Sequence, residues 1–309
     1  MSRSYQVIII GGGPAGLTAG LYCARSQLNA LLIERGIVGG RITSAEQVEN
    51  YPGFPQGVSG IKLGQLMHEQ ATSYGIKILL AEVTTLVAGN RRNLISTSEG
   101  DFVAETVIIA SGSGFRKFRK LGVPGEDKFV GRGVSYCATC DGPLFKGKTV
   151  AVIGGGDAAI TEALYLGKFA SSVKVIHRYS QLRASKIFQE RAMSEPKIEF
   201  VWDAVVSQIE GDRVVRQLKL KNTRDATIST LEVEGVFVAV GSEPDTAYLR
   251  EVLSVDEKGY VITNEMMETS IPGVFAAGDV RHNSARQAIT AAGDGATAAL
   301  SAERFLGLL

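Results

Sequence analysis

A chain of 309 residues, 45% hydrophobic and 21% charged, is long enough for about two domains and too apolar to be disordered. Its formal net charge of +1 gives no whole-chain attraction to nucleic acid or to an anionic membrane surface, so neither partner is expected. No run approaches the roughly 18 apolar residues that span a bilayer. The opening apolar stretch is cut by Gly11 to Gly13 before it can form the core of a secretory signal, which predicts a cytoplasmic protein.

In chain order, a β run at 6–10 leads into Gly11-Gly12-Gly13-Pro14-Ala15-Gly16, a helix to about residue 26, and a second β run at 30–33 that ends at Glu34. Cys23 shares an apolar helical spacing with Leu17, Leu21, Ala24 and Leu28, which predicts a core cysteine. A strand at 106–110 ends in Ser111-Gly112-Ser113-Gly114, a flexible crossing. Then come Cys137-Ala138-Thr139-Cys140-Asp141 and a second copy of the opening plan: β run 149–153, Gly154-Gly155-Gly156-Asp157-Ala158-Ala159, a helix to about residue 169, and β run 173–176 ending at His177. A buried strand at 236–240 precedes Gly241-Ser242-Glu243-Pro244-Asp245, a second crossing.

Strand, G-x-G-x-x-G/A turn, helix and strand make a dinucleotide-binding unit. Its glycines let the backbone approach a pyrophosphate, and the helix N-terminus offers unpaired N–H groups. Two copies predict an α/β protein of two Rossmann-like domains, the second inserted in the first: residues 1–114 and 245–309 binding one dinucleotide, 115–244 binding another. Gly11, Gly13 and Gly16 serve the first site; Gly154, Gly156 and Ala159 serve the second. Glu34 and His177 occupy equivalent offsets. A carboxylate there accepts ribose hydroxyls and repels a 2′-phosphate, so the first site suits FAD or NAD. His177, Arg178 and Arg183 suit a 2′-phosphate, hence NADP.

The chain has three cysteines, too few for a disulfide-stapled scaffold, and a close pair in such a chain is redox-active or metal-binding. Zinc wants about four ligands, and His68, His177, His282 and Cys23 lack ligand spacing, so no metal is expected. As a dithiol, Cys137 and Cys140 carry two electrons and release them on forming a disulfide. Cys137 precedes a turn that starts a helix, a place that favours its thiolate. A carboxylic acid at Asp141 can exchange protons with such thiols, and Asp is also a favoured helix cap.

These pieces, with Glu49-Asn50-Tyr51-Pro52-Gly53-Phe54, Arg183-Ala184-Ser185-Lys186, Gly273-Val274-Phe275-Ala276-Ala277-Gly278-Asp279 and Arg286-Gln287-Ala288-Ile289, resemble the low-molecular-weight bacterial thioredoxin reductases over essentially the whole chain. The resemblance implies FAD in the first domain, NADPH in the second, thioredoxin as protein substrate and a homodimer. It places Gly40, Arg41, Asn50, Val83, Gly278, Asp279, Arg286, Gln287 and Ala288 around FAD. Cys140 would face the flavin, Cys137 would exchange with thioredoxin, and Asp141 would handle protons. It also implies rotation of the inserted domain, with hinges near Gly112 and Gly241.

The chain departs from the family at Tyr179, where His-Arg-Arg-x-x-x-Arg would have an arginine; NADPH is expected to work with a weakened preference over NADH. Arg41 stands where glutamine is common, and Ser284-Ala285 where a larger residue is common. Two readings compete. One is a flavin thioredoxin reductase fed by ferredoxin or another reduced carrier, which would tend to lose the second fingerprint. The other is a non-catalytic nucleotide-binding protein, which would have no use for Cys137, Cys140 and Asp141 together.

Overall fold

The computed structural model describes residues 3–118, 120–244, 246–249 and 251–309; Met1, Ser2, Arg119, Asp245 and Arg250 lie outside it, so of the second expected crossing Asp245 is not described. The chain opens with β1 (Arg3–Ile10), α1 (Pro14–Arg25) and β2 (Ala30–Glu34), continues through α2 (Gly60–Ser73), β3 (Lys77–Leu80), β4 (Val83–Val87) and β5 (Asn93–Thr97), and reaches the long β6 (Gly100–Ile109). β1 runs parallel to β2 and β6, with Ile10 opposite Ile33 and Ile109. Side chains alternate across a strand, so Val7 and Ile9 pack one face with Ala19, Cys23, Ala298 and Ala302, while Ile8 and Ile10 pack the other with Leu31, Leu249 and Val261. Burial on both faces explains why β1 reads as an unbroken apolar run. Cys23 lies in this core, 1% exposed.

The chain then enters β7 (Ser113–Phe118), α3 (Glu126–Phe129), β8 (Val134–Ser135), α4 (Ala138–Asp141), β9 (Thr149–Ile153), α5 (Asp157–Leu166), β10 (Ser172–Ile176), α6 (Lys186–Met193) and β11 (Ile198–Val201). It continues through β12 (Ala204–Gly211), β13 (Val215–Asn222), β14 (Ile228–Glu232), β15 (Gly235–Val238) and β16 (Ser242–Pro244). Strands in the order β11-β10-β9-β15-β8 form a parallel sheet, and β12, β13 and β14 an antiparallel one. Val150 and Val152 pack with Ala159, Ile160 and Ala163; Ala151 and Ile153 pack with Val206, Leu218 and Val236. Finally β17 (Val274–Ala276) pairs with β6, and α7 (Ala288–Leu306) lies along α1.

Two compact units result: one up to Lys117 and from Glu243 onward, the other Phe118–Ser242. The crossing strands β7 and β16 pair with each other. Among the described residues, no helix is long and apolar enough to cross a membrane.

Two glycines of the first turn are required by geometry. Gly11 has φ +111, and a Cβ there would meet Ala110 O at 2.3 Å; a Cβ on Gly16 would fall 1.8 Å from Gly11 O. Gly16→Ala is therefore expected to destabilise the first unit by about 2–4 kcal/mol, because backbone must move to admit the methyl group. Denaturant titration checks this; a loss under about 0.5 kcal/mol, the size of an ordinary surface change, would contradict it.

Candidate functional site

In the first unit the glycine turn and Glu34 form one hydrogen-bonded device. Glu34 Oε2 accepts from the Gly12 N–H at 2.6 Å and Oε1 from the Gly36 N–H at 2.7 Å, which fixes the carboxylate at the end of β2. Gly13 occupies the N-cap position of α1 and supplies no side-chain cap, and Pro14 takes a position whose N–H would be unpaired anyway. Facing it, Gly40 has φ +65, and a Cβ on it would meet Gly13 Cα at 2.8 Å. A Cβ on Gly13 would meet nothing nearer than Gly40 Cα at 3.9 Å. The uncapped N–H groups and open backbone fit an anionic pyrophosphate.

Around this turn, Arg41 Nη1 donates to Ser113 Oγ at 3.0 Å, and Asn50 Nδ2 donates to Gln287 Oε1 at 2.9 Å. Gln287 caps α7 and Ala288 begins it. Arg286 has φ +56, and its guanidinium lies 4.9 Å over the Tyr260 ring. Burial pushes the Asp279 carboxyl up from the ordinary aspartate range, while Arg41 and Arg286 pull against it. Gly278 donates its N–H to Asp294 Oδ2 at 3.1 Å, and the same oxygen accepts from Arg281 Nη1 at 2.6 Å. Asp294 and Arg281 thus hold the Gly278-Asp279 turn. Sequence reading missed both, although a carboxylate between Gly293 and Gly295 in an alanine-rich helix was a visible signal. Val83 lies farther out, in β4 opposite Thr97; its link to the turn is the Ala81 N–H bond to Glu34 O at 2.9 Å.

In the second unit, Gly155 O accepts from the Arg183 N–H at 2.7 Å and the Ala184 N–H at 3.1 Å, so the 177–185 loop is tied to the glycine turn. Asp157 Oδ1 accepts from the Ser185 N–H at 2.6 Å. α5 also begins without a side-chain cap, and nothing lies within 4 Å of where a Gly156 Cβ would be. Packing does not require glycine there, and the open space is of the kind that lets a ligand approach the backbone closely. Gly154, with φ +150, and Ala159 meet behind the turn.

His177 departs from expectation. It is 3% exposed, and its ring fills the place a Gly155 side chain would take, 2.4 Å from the added Cβ. Its Nε2 is shut off from solvent and has no hydrogen-bond partner among the described residues. Burial, then Arg183 and Arg178, push its pKa below the usual histidine value, against a backbone hydrogen bond at Gln181. A neutral, enclosed imidazole supports the turn and presents no charge to a phosphate. Arg178 and Arg183, by contrast, are exposed. Arg178 lies 4.9 Å over the Tyr179 ring, which meets His177 edge-on at 5.6 Å.

The second unit also carries the cysteines. Cys137 and Cys140 are joined as a disulfide across the single turn of α4, which Cys137 caps. The Cys140 N–H donates to Cys137 Sγ at 3.2 Å, and Thr139 Oγ1 lies 3.4 Å from the same sulfur. Cys137 is half-buried and Cys140 exposed. Asp141 Oδ2 accepts from Ser135 Oγ at 2.7 Å, and Ser135 Oγ accepts from the Cys137 N–H at 3.0 Å. Sequence reading missed Ser135; its only signal was a polar residue at the end of a short apolar strand.

A reducible disulfide, a carboxylate beside it and two open glycine turns define an oxidoreductase of the dinucleotide–disulfide class. The family described as pyridine nucleotide-disulphide oxidoreductase matches residues 5–295. Thioredoxin reductase of Streptomyces coelicolor is 45% identical over 312 residues, covering 100% of this chain and 96% of that one. The Chlamydia pneumoniae thioredoxin reductase is 44% identical over 308 residues, 98% of this chain and 99% of that one. The crystal structure of Lactococcus lactis thioredoxin reductase, in its FR conformation, matches with a TM-score of 0.95 at 42% identity, covering 99% of this chain and 100% of that chain. The chain belongs to the bacterial, low-molecular-weight thioredoxin reductase family. Use of a flavin and a nicotinamide nucleotide goes with that membership.

Proposed function

We propose that this chain is a thioredoxin-disulfide reductase acting as a cytoplasmic homodimer, with FAD in the first unit, NADPH as donor at the second glycine turn, and NADH also accepted. The observation that carries this reading is the Cys137–Cys140 disulfide with Asp141 held beside it, in the unit that also carries an open glycine turn. When bound, the flavin and nicotinamide supply the electrons that open the disulfide. The protein's part is binding and proton handling. Glu34 receives a ribose, the turns at Gly13 and Gly156 receive pyrophosphates, and Arg178 and Arg183 receive a 2′-phosphate. Gly40, Arg41, Asn50, Gly278, Asp279, Arg286, Gln287 and Ala288 surround the flavin, with Val83 nearer the adenine.

The two thiols have different tasks. Cys137 Sγ is the sulfur that receives the Cys140 N–H, and such a bond favours a thiolate there after reduction. Cys137 therefore attacks thioredoxin, Cys140 resolves the mixed disulfide, and Asp141 supplies the protons. An apolar hollow of about 350 Å³ in the first unit, lined by Leu21, Tyr22, Tyr51, Phe54, Leu66 and Ala296, supports a face that a second copy covers.

The test is anaerobic bleaching of the flavin by NADPH and NADH in parallel, followed by oxidised thioredoxin. Bleaching by NADPH and recovery with thioredoxin is the expected result. Bleaching by neither nucleotide would overturn the donor assignment and point to a reduced protein carrier.

Gly156→Val separates binding from folding. The added side chain enters open space, so stability should stay within about 1 kcal/mol of the parent. A bound pyrophosphate would collide with it, raising the KM for NADPH about 10-fold or more. Thermal melts and initial rates read the two effects; an unchanged KM would remove the turn from the nucleotide site.

A further inference from the structure

We propose that Ser135 is a positioning residue for the proton-transfer group: its hydroxyl holds the Asp141 carboxyl against the Cys137–Cys140 turn. This rests on the thioredoxin reductase reading above. Ser135 ends β8 and is 5% exposed. Its single hydrogen has two acceptors within reach, Asp141 Oδ2 at 2.7 Å and Cys137 O at 3.3 Å. The shorter, charge-assisted bond takes it. The lone pairs of the same oxygen accept the Cys137 N–H at 3.0 Å. One hydroxyl thus fixes both the carboxyl and the backbone of the attacking cysteine. It leaves Asp141 Oδ1 for exchange with thiols, and Asp141 N–H closes the turn on Cys137 O at 3.2 Å.

The chemistry needs that carboxyl more than once. The Cys137 thiolate attacks the thioredoxin disulfide, whose S–S bond breaks as the mixed disulfide forms. The released thioredoxin thiolate takes the proton of the Asp141 carboxylic acid. The Cys140 thiol then gives its proton to Asp141 and, as thiolate, attacks Cys137 Sγ. The mixed disulfide breaks, and the second thioredoxin thiolate leaves with that same proton. Thioredoxin gains two electrons and two protons, and the enzyme disulfide is restored. A carboxyl that swung away between the two transfers would stall the second one.

Arg132, Lys148, Arg216 and Glu234 share with Asp141 a cavity of about 410 Å³, and the two cysteines lie in its own turn. Changing Ser135 leaves all of them in place.

The experiment mixes NADPH-reduced holoenzyme rapidly with oxidised thioredoxin, or with the small disulfide DTNB. Ser135→Ala should slow dithiol oxidation about 10-fold, the effect of losing a hydrogen bond to a charged group. Ser135→Thr, which keeps the hydroxyl, should restore most of the rate. Should the alanine variant fail to fold, Ser135→Cys, a weaker donor of similar volume, replaces it. In an Asp141→Asn background Ser135→Ala should change the rate less than about 2-fold. An equal slowing in both backgrounds, or no rescue by Ser135→Thr, overturns the proposal. Failure of the parent enzyme with thioredoxin but not with DTNB overturns the substrate reading instead, and the Ser135 comparison still proceeds on DTNB.

Discussion

Cys140→Ser is expected to stop thioredoxin turnover by about three orders of magnitude or more, since it removes one member of a unit that works only as a pair. It should also leave an enzyme that captures thioredoxin covalently. Resolution requires the Cys140 thiolate to attack Cys137 Sγ, so without it the mixed disulfide persists. The backbone N–H that meets Cys137 Sγ belongs to residue 140 and survives the substitution, so the remaining thiol keeps its donor. Cys137→Ser should be equally inactive yet trap far less, because among the described residues no hydrogen bond reaches the Cys140 sulfur. The third cysteine does not confuse the result. Cys23 is buried in the first unit, and burial pushes its thiol pKa up to about 12, so it supplies almost no thiolate near neutral pH. The measurement is non-reducing electrophoresis of chemically reduced variants incubated with oxidised thioredoxin, with mass spectrometry of the adduct. An adduct on Cys140 in the Cys137→Ser variant, matching that of its counterpart, would reverse the two roles.

The parts legible in the sequence were those fixed by local chain geometry. Strand, glycine turn, helix and strand recur because each step follows from periodicity and from a turn with no room for side chains, as at Gly11 and Gly16. Glu34 was legible for the same reason: a strand of fixed length carries it to a fixed offset from the turn. His177 shares that offset, but its fate was decided by packing. The ring fills the space left by Gly155, and no local pattern distinguishes an imidazole that faces solvent from one that props a loop. Ser135 and Asp294 were illegible for a related reason. Each acts through a hydrogen bond to a group whose position depends on the folded turn, Asp141 in one case and Gly278 in the other. Polar residues that support a site leave a weaker trace than those that form it, because one hydroxyl or carboxylate in an apolar stretch has many ordinary uses.

Tyr179→Arg is expected to raise the preference for NADPH over NADH roughly 10- to 100-fold, which is what one charged hydrogen bond to phosphate contributes. The position is right for this. Residue 179 follows the exposed Arg178, its ring is 50% exposed, and the loop bearing it is tied to the second glycine turn through Gly155 O. The tyrosine is not inert, however. Arg178 stacks on its ring, and at an exposed site such a contact is worth about 0.5–1 kcal/mol. Removing the ring therefore frees Arg178 as the new arginine arrives, and the net gain should sit below the sum of two well-ordered charges. Tyr179→Ala separates the terms: it loses the stack without adding a donor, so its NADPH affinity should fall a few-fold, at most about 5-fold, while NADH is unaffected. Steady-state kinetics with both nucleotides on the three proteins give the ratio directly. If the arginine variant leaves that ratio unchanged, residue 179 does not face the 2′-phosphate, and the choice of donor rests on Arg178 and Arg183 alone.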